Sequence, residues 1–168
     1  MIREFFKFEL REQLRSPLLW LLSCLFGLMA FGASSSDAVQ IGGAIGNVYR
    51  NAPTVIAQFM GIFTLLGMLI IGVFKSSAIL RVFEIGTADL IFSNPISKRD
   101  FLIGRFAAAL VSSLVVYAVI ALFIFIAQFM PWIDPARLGA VSIMPFLWTF
   151  AVYVIPNVLF TGALLALF

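Results

Sequence analysis

The chain has 168 residues, of which 62% are hydrophobic and 11% charged, and its mean hydropathy is +1.10. These values lie far outside the range of soluble domains and indicate a membrane protein. There is no histidine and only one cysteine, which excludes zinc peptidases of the H-E-x-x-H type and an intrachain disulfide. The net charge of +3 comes from basic residues that flank apolar runs, which argues against a nucleic-acid partner.

Residues 1–16 are predicted to form an amphipathic helix at the membrane surface. Four basic residues recur every four positions as one stripe, and apolar residues occupy the other side, with Glu9 interrupting the apolar side and Phe8 the polar side. Ser16 and Pro17 are typical of an N-cap and a first helical residue, where a membrane-crossing helix begins. A cleavable signal peptide is the alternative, but this leader is long and acidic as well as basic.

Four charge-free runs, at 16–36, 51–74, 106–133 and 138–168, each reach the roughly 20 residues that a helix needs to cross a bilayer. They lack the alternation of a strand barrel. We therefore predict an all-α integral membrane protein with helices at about 17–33, 55–74, 103–130 and 144–168, which form one transmembrane domain over 17–168. The last run has no basic flank, so we expect the sequence to be the N-terminal part of a longer chain.

Nine of the 11 basic residues precede the first span or lie between the second and third, and only Arg50 and Arg137 lie in the opposite loops. Cytoplasmic loops carry the excess of Lys and Arg in membrane proteins. The distribution therefore predicts that the N-terminus and the 75–105 segment are cytoplasmic.

The 75–105 segment carries the most informative pattern. Apolar residues over 76–92 are punctuated by charges, which indicates a short amphipathic helix; Pro95 ends it, and Ser97 with Asp100 forms a capping box for the third span. On composition alone, a solvated hairpin whose charges set the topology is the simpler explanation.

Apart from Arg105 at the start of the third, the predicted spans contain no carboxylate and no basic side chain, which argues against a proton- or sodium-driven carrier built from these helices. Gly104, Ala108 and Ser112 form a ladder of small residues on the third span, which would let a helix of this chain or of a partner approach closely. Pro156, next to Asn157, is predicted to kink the fourth span.

Three motifs resemble those of the ABC-2 class of ATP-binding-cassette permeases: RVFEIGT at 81–87, PISK at 95–98 and GR at 104–105. The predicted amphipathic helix before Pro17 also resembles the N-terminal helix of these permeases. The outer loop at 40–53 also resembles a bacterial subgroup in which the permease is fused to an M1-type aminopeptidase region, whose metal-binding residues this chain lacks.

The resemblance implies the permease subunit of an exporter in the bacterial inner (plasma) membrane. It implies no catalysis and no cofactor in this chain, since a separate ABC ATPase subunit binds and hydrolyses ATP, and it implies a second permease half or a homodimer. The partner-coupling residues that it implies are Arg81, Glu84, Gly86, Thr87, Asp89, Pro95, Ser97 and Lys98. The alternative is a membrane anchor for a fused or associated enzyme domain such as a peptidase.

Overall fold

A computed structural model describes residues 2–36, 39, 48–67, 72 and 98–166 of the chain. Regular structure in these ranges is helical throughout, which confirms the predicted all-α membrane fold. The elements in chain order are α1 (Ile2–Arg15), α2 (Pro17–Ser35), α3 (Pro53–Leu66), α4 (Lys98–Ala127), a 3-10 turn (Pro135–Arg137), α5 (Met144–Thr149), a π-helical segment (Phe150–Val154) and α6 (Ile155–Ala166).

Three helical stretches within these ranges are long and apolar enough to cross a membrane, namely Pro17–Ser35, Arg99–Ala127 and Met144–Leu164. They correspond to the first, third and fourth predicted spans. The second predicted span is represented by α3, which is apolar but has 14 residues up to Leu66. Most of the rest of that span, and the predicted helix over 76–92, lie outside the described residues.

The corner between α1 and α2 is a single residue. Ser16 has extended backbone angles, φ −66° and ψ 125°, and Pro17 opens α2, as predicted, but the Ser16 hydroxyl makes no capping hydrogen bond. The indole Nε1 of Trp20 instead donates to the Leu14 carbonyl at 2.8 Å. This bond satisfies one of the carbonyls that the end of α1 leaves unpaired.

The long helix α4 is the centre of the fold, and it packs along both α1 and α2. A face of small residues on α2, including Ser23, Gly27 and Ala30, is buried. A Cβ atom at Gly27 would lie 2.8 Å from the Phe123 ring, so the two helices approach too closely there for a larger residue. In the described ranges, fourteen buried apolar side chains from α2 to α6 form one continuous core.

The fourth span combines α5, the π-helical segment and α6, and its first part packs against α3. The π-helical segment ends at Val154, two residues before Pro156. A proline has no N–H to donate to the carbonyl one turn earlier, and a widened turn is a common local response to a disturbed hydrogen-bond ladder. The predicted irregularity at Pro156 thus takes the form of a π-helical segment.

Different helices and connections lie at the two ends of the helix bundle. One end, here called the α1 end, holds α1 and the first turns of α4. The other, the loop end, holds the connections between α2 and α3 and between α4 and α5. There the Arg50 guanidinium donates to the Ser35 and Ser36 carbonyls at 3.3 and 2.7 Å, and the Asn51 side chain exchanges two hydrogen bonds with the Gly139 backbone. The two connections are therefore tied to one another.

Candidate functional site

The α1 end holds a tightly packed junction between α1 and α4. Gly104 is buried there, and a Cβ atom on it would lie 2.9 Å from the Phe5 Cβ and 3.0 Å from the Ile2 carbonyl oxygen. The Phe5 and Phe101 rings meet edge to face with their centroids 5.4 Å apart. A glycine at 104 thus lets the backbone of α1 rest directly on α4.

A buried ion pair joins the two helices at the same level. Arg105 Nε lies 3.0 Å from Glu9 Oε2, and the two side chains are 11% and 3% exposed. Gln13 Nε2 donates to Glu9 Oε1 at 3.1 Å, and the Arg105 guanidinium carbon lies 4.7 Å from the Phe101 ring centroid. A charge removed from water is costly unless it is paired and hydrogen-bonded, and both oxygens of Glu9 are satisfied here.

The interruption that the sequence shows in the apolar side of α1 is therefore the point of contact with α4. Glu9 and Gln13 are buried, while Arg3, Lys7, Arg11 and Phe8 are exposed. The amphipathic pattern of α1 correctly indicates a two-faced helix. It does not reveal that part of the buried face is polar, because the partner charge, Arg105, lies 96 positions further along the chain.

Most of the predicted coupling residues lie outside the described residues, namely Arg81, Glu84, Gly86, Thr87, Asp89, Pro95 and Ser97. Lys98 is the first residue of α4. The predicted packing ladder lies within α4, where Gly104 faces α1, and Ala108 and Ser112 are fully buried inside the chain.

A second polar cluster joins three helices inside the bundle. Tyr117 on α4 donates its hydroxyl to the Thr64 carbonyl at 3.2 Å, and Asn157 on α6 donates Nδ2 to the Thr64 hydroxyl at 3.1 Å. The Thr64 hydroxyl in turn donates to the Gly61 carbonyl at 2.7 Å. Tyr117 lies ten residues before the end of α4, which is about 15 Å at 1.5 Å per residue and corresponds to the middle of a bilayer core.

Gly67, at the end of α3, makes room for this cluster, because a Cβ atom there would collide with the Tyr117 hydroxyl and ring. In the sequence, Thr64, Tyr117 and Asn157 are polar residues within three different charge-free runs. Their meeting depends on the relative rotation of three helices, for which the sequence carries no local signal.

The loop end contains a cavity of about 20 Å³, lined by residues that include Ser34, Arg50, Phe59, Gln128 and Ile133. This volume suits a single water molecule and excludes a transported substrate. In the described part of the chain there is no group of three or more His, Cys, Asp or Glu side chains that could hold a metal ion.

Two comparisons with known proteins returned no match, one with the curated proteins and one with the solved structures. Comparison with protein families gave a match to the family described as ABC-2 family transporter protein over residues 4–167. That range contains the described helices almost completely, from the buried face of α1 to the end of α6. The chain therefore belongs to the ABC-2 family of transporter proteins.

Proposed function

We propose that the chain is the membrane-spanning permease subunit of an ABC-2 type exporter, and that a separate ATPase subunit hydrolyses the ATP that drives it. The family match over residues 4–167 supports this function. In this proposal the chain is not itself catalytic and holds no cofactor, since ATP binds to the partner. The location is the bacterial plasma membrane, with the N-terminus in the cytoplasm.

The ATPase docks on the 81–89 segment, where Arg81, Glu84 and Asp89 orient it. Gly86 allows the segment to bend, and Pro95 and Ser97 fix where α4 begins, while Thr87 and Lys98 belong to the same partner-coupling segment. Opposite charges a few positions apart set the orientation of a partner more than the strength of its binding. ATP-driven closure of the partner then displaces the segment and biases the helices between two arrangements.

The geometry of α4 is the observation that best supports this coupling. The helix starts at Lys98, nine positions after Asp89 in the proposed docking segment, and continues for 30 residues without a break. At 1.5 Å per residue it is about 45 Å long, some 15 Å more than a bilayer core. One unbroken helix therefore crosses the membrane from a point that is close in sequence to the docking segment.

The remaining partner is a second permease half or a second copy of this chain. The helices described here pack around one core, and the cavity at the loop end has room for no more than a water molecule. In this proposal the translocation pathway forms between these helices and a further set of spans. The bilayer covers the exposed apolar side chains of the outer faces.

Purification of the full-length protein in detergent tests the function. We expect a nucleotide-binding ATPase to co-purify and to be lost from the variants Arg81→Glu and Glu84→Arg. Arg3→Glu and Glu4→Arg are matched controls, because both residues are exposed on α1. A preparation without an ATPase, from membranes that contain the partner, would contradict the proposal and favour an anchor for an enzyme domain.

A further inference from the structure

We infer that Glu9 and Arg105 are positioning residues that make α1 and the first turns of α4 move as one body during coupling. The inference rests on the proposed function, and it extends the coupling machinery beyond the docking segment to the N-terminal helix. Neither residue touches the substrate or the nucleotide in this proposal. Each acts through the helix that carries it.

The first argument is the desolvation of the ion pair. Glu9 is 3% exposed and Arg105 11%, and the two atoms in contact are 3.0 Å apart. Separation of the helices would leave each charge in a poorly solvated place without the opposite charge beside it. Such separation is strongly unfavourable even where the intact pair adds little net stability. The pair therefore opposes relative movement of the helices.

The second argument is the fit of the surfaces around the pair. Gly104 lies so close to α1 that even a methyl group would press on the Phe5 side chain and the Ile2 carbonyl. The Phe101 ring has two partners. It meets the Phe5 ring edge to face, and its centroid lies 4.7 Å from the Arg105 guanidinium carbon. Interlocked contacts of this kind have discrete arrangements, so α1 cannot slide along α4 in small steps.

The third argument is that α1 contacts α2, the next helix along the chain, much less than it contacts α4. α1 is joined to α2 through one extended residue, Ser16, and one hydrogen bond across the corner, from Trp20 to the Leu14 carbonyl, and it packs against α2 over a much smaller surface than against α4. A single extended residue transmits little torque, because its two backbone dihedral angles are soft. When the start of α4 moves, α1 therefore follows it directly, whereas a movement of α2 affects α1 much less.

The experiment combines ATPase activity with a distance measurement in the purified complex. Spin labels are placed at Phe8→Cys and Leu122→Cys in a Cys24→Ser background, because Phe8 and Leu122 are both exposed, on α1 and on the far half of α4. The distance between the labels is measured without nucleotide and after trapping with ATP and vanadate. With the ion pair intact, we expect the same narrow distance distribution in both states.

In Glu9→Gln and Arg105→Gln we expect that distribution to broaden or shift when nucleotide is bound. We also expect loss of the part of the ATPase rate that depends on the permease. The exchange Glu9→Arg with Arg105→Glu should recover both properties at least partly, which a purely structural loss would not allow. Glu4→Gln and Arg99→Gln, exposed charges on the same two helices, should behave as the unmodified complex does.

Arg105→Lys serves where Arg105→Gln aggregates. It keeps the charge but lacks the guanidinium plane beside Phe101, so we expect an intermediate broadening and an intermediate rate. Unchanged distances and an unchanged rate in the folded Glu9→Gln and Arg105→Lys complexes would overturn the inference and leave the proposed function intact. Absence of an ATPase from the unmodified preparation would instead contradict the proposed function, before any variant is compared.

Discussion

Among the glycines of the described ranges, Gly67 is the one at which an added Cβ atom would come closest to another side chain. A Cβ atom there would meet the Tyr117 hydroxyl and ring, whereas a Cβ atom at Gly61, on the same helix, would meet nothing within 4 Å. We expect Gly67→Ala to lower the free energy of unfolding by about 1–3 kcal/mol, the usual cost of an overpacked site. We expect Gly61→Ala to raise it by about 0.5–1 kcal/mol, since alanine favours a helix interior.

The thermal unfolding midpoint in detergent, monitored by size-exclusion chromatography, distinguishes the substitution at Gly67 from that at Gly61. We expect the midpoint to fall in Gly67→Ala and to rise in Gly61→Ala, although each variant adds a single methyl group. A midpoint for Gly67→Ala equal to or above that of the unmodified protein would contradict the close contact between α3 and Tyr117.

Thr64 accepts one hydrogen bond from Asn157 through its hydroxyl and another from Tyr117 through its carbonyl. Thr64→Val keeps the shape and the carbonyl but removes the hydroxyl, so the Asn157 amide loses its acceptor in an apolar setting. We expect a loss of about 0.6–1.7 kcal/mol, which lies between the average and the maximum measured for side-chain hydrogen bonds between helices in a membrane. The thermal midpoints of Thr64→Val and of Thr54→Val, an exposed threonine on the same helix, provide the check. Equal losses in the two variants would argue against the cluster.

At the scale of elements, the end of α2 depends on a residue from the next connection. The Arg50 guanidinium donates to two carbonyls that the helix itself cannot pair, those of Ser35 and Ser36. Arg50→Lys keeps the charge but loses the planar fork, and Arg50→Gln loses the charge as well. We expect stability to fall by about 1 kcal/mol or more, and further in Arg50→Gln than in Arg50→Lys.

Thermal midpoints of the two Arg50 variants test this cap, with Arg137→Gln as the comparison, because Arg137 is an exposed basic residue at the same end and the substitution keeps the carbonyl that accepts the Arg50 N–H. A fall in Arg137→Gln as large as that in Arg50→Gln would indicate a general effect of loop charge. The order of the three variants is thus the decisive result.

The sequence predicts elements of this fold better than it predicts their contacts. Charge-free runs and proline positions locate α2, α4 and the fourth span to within a few residues, because the bilayer dictates length and polarity. The π-helical segment at Phe150–Val154 has no such signal, since it depends on how the helix accommodates Pro156 while packed on α3. The contacts of Glu9 are equally hard to predict. In the sequence its charge only interrupts the apolar face of α1, whereas in the fold it forms an ion pair with Arg105.

At the scale of the whole molecule, α2 and α4 run from the α1 end of the bundle to the loop end, while α3 and the fourth span begin at the loop end and run back. α1 and the start of α4 share one end, and Phe31 on α2 meets Trp132 after α4 at the other, with ring centroids 6.4 Å apart. Gly162, near the end of α6, faces Phe106 near the start of α4, so the fourth span returns to the α1 end. This arrangement agrees with the alternation of basic and poorly charged segments along the chain.

The sidedness of these ends is a prediction of the charge distribution. In a Cys24→Ser background, we expect single cysteines at Lys7 and Arg99, both exposed at the α1 end, to react with a membrane-impermeant maleimide only in inside-out vesicles. A cysteine at Ala140, exposed at the loop end, should react in intact cells, because few basic residues retain that end in the cytoplasm. Labelling of Lys7→Cys and Ala140→Cys from the same side would contradict the arrangement of spans. The reversed pattern would preserve the fold but place the proposed ATPase-docking segment outside the cell, where no ATP-driven partner could reach it.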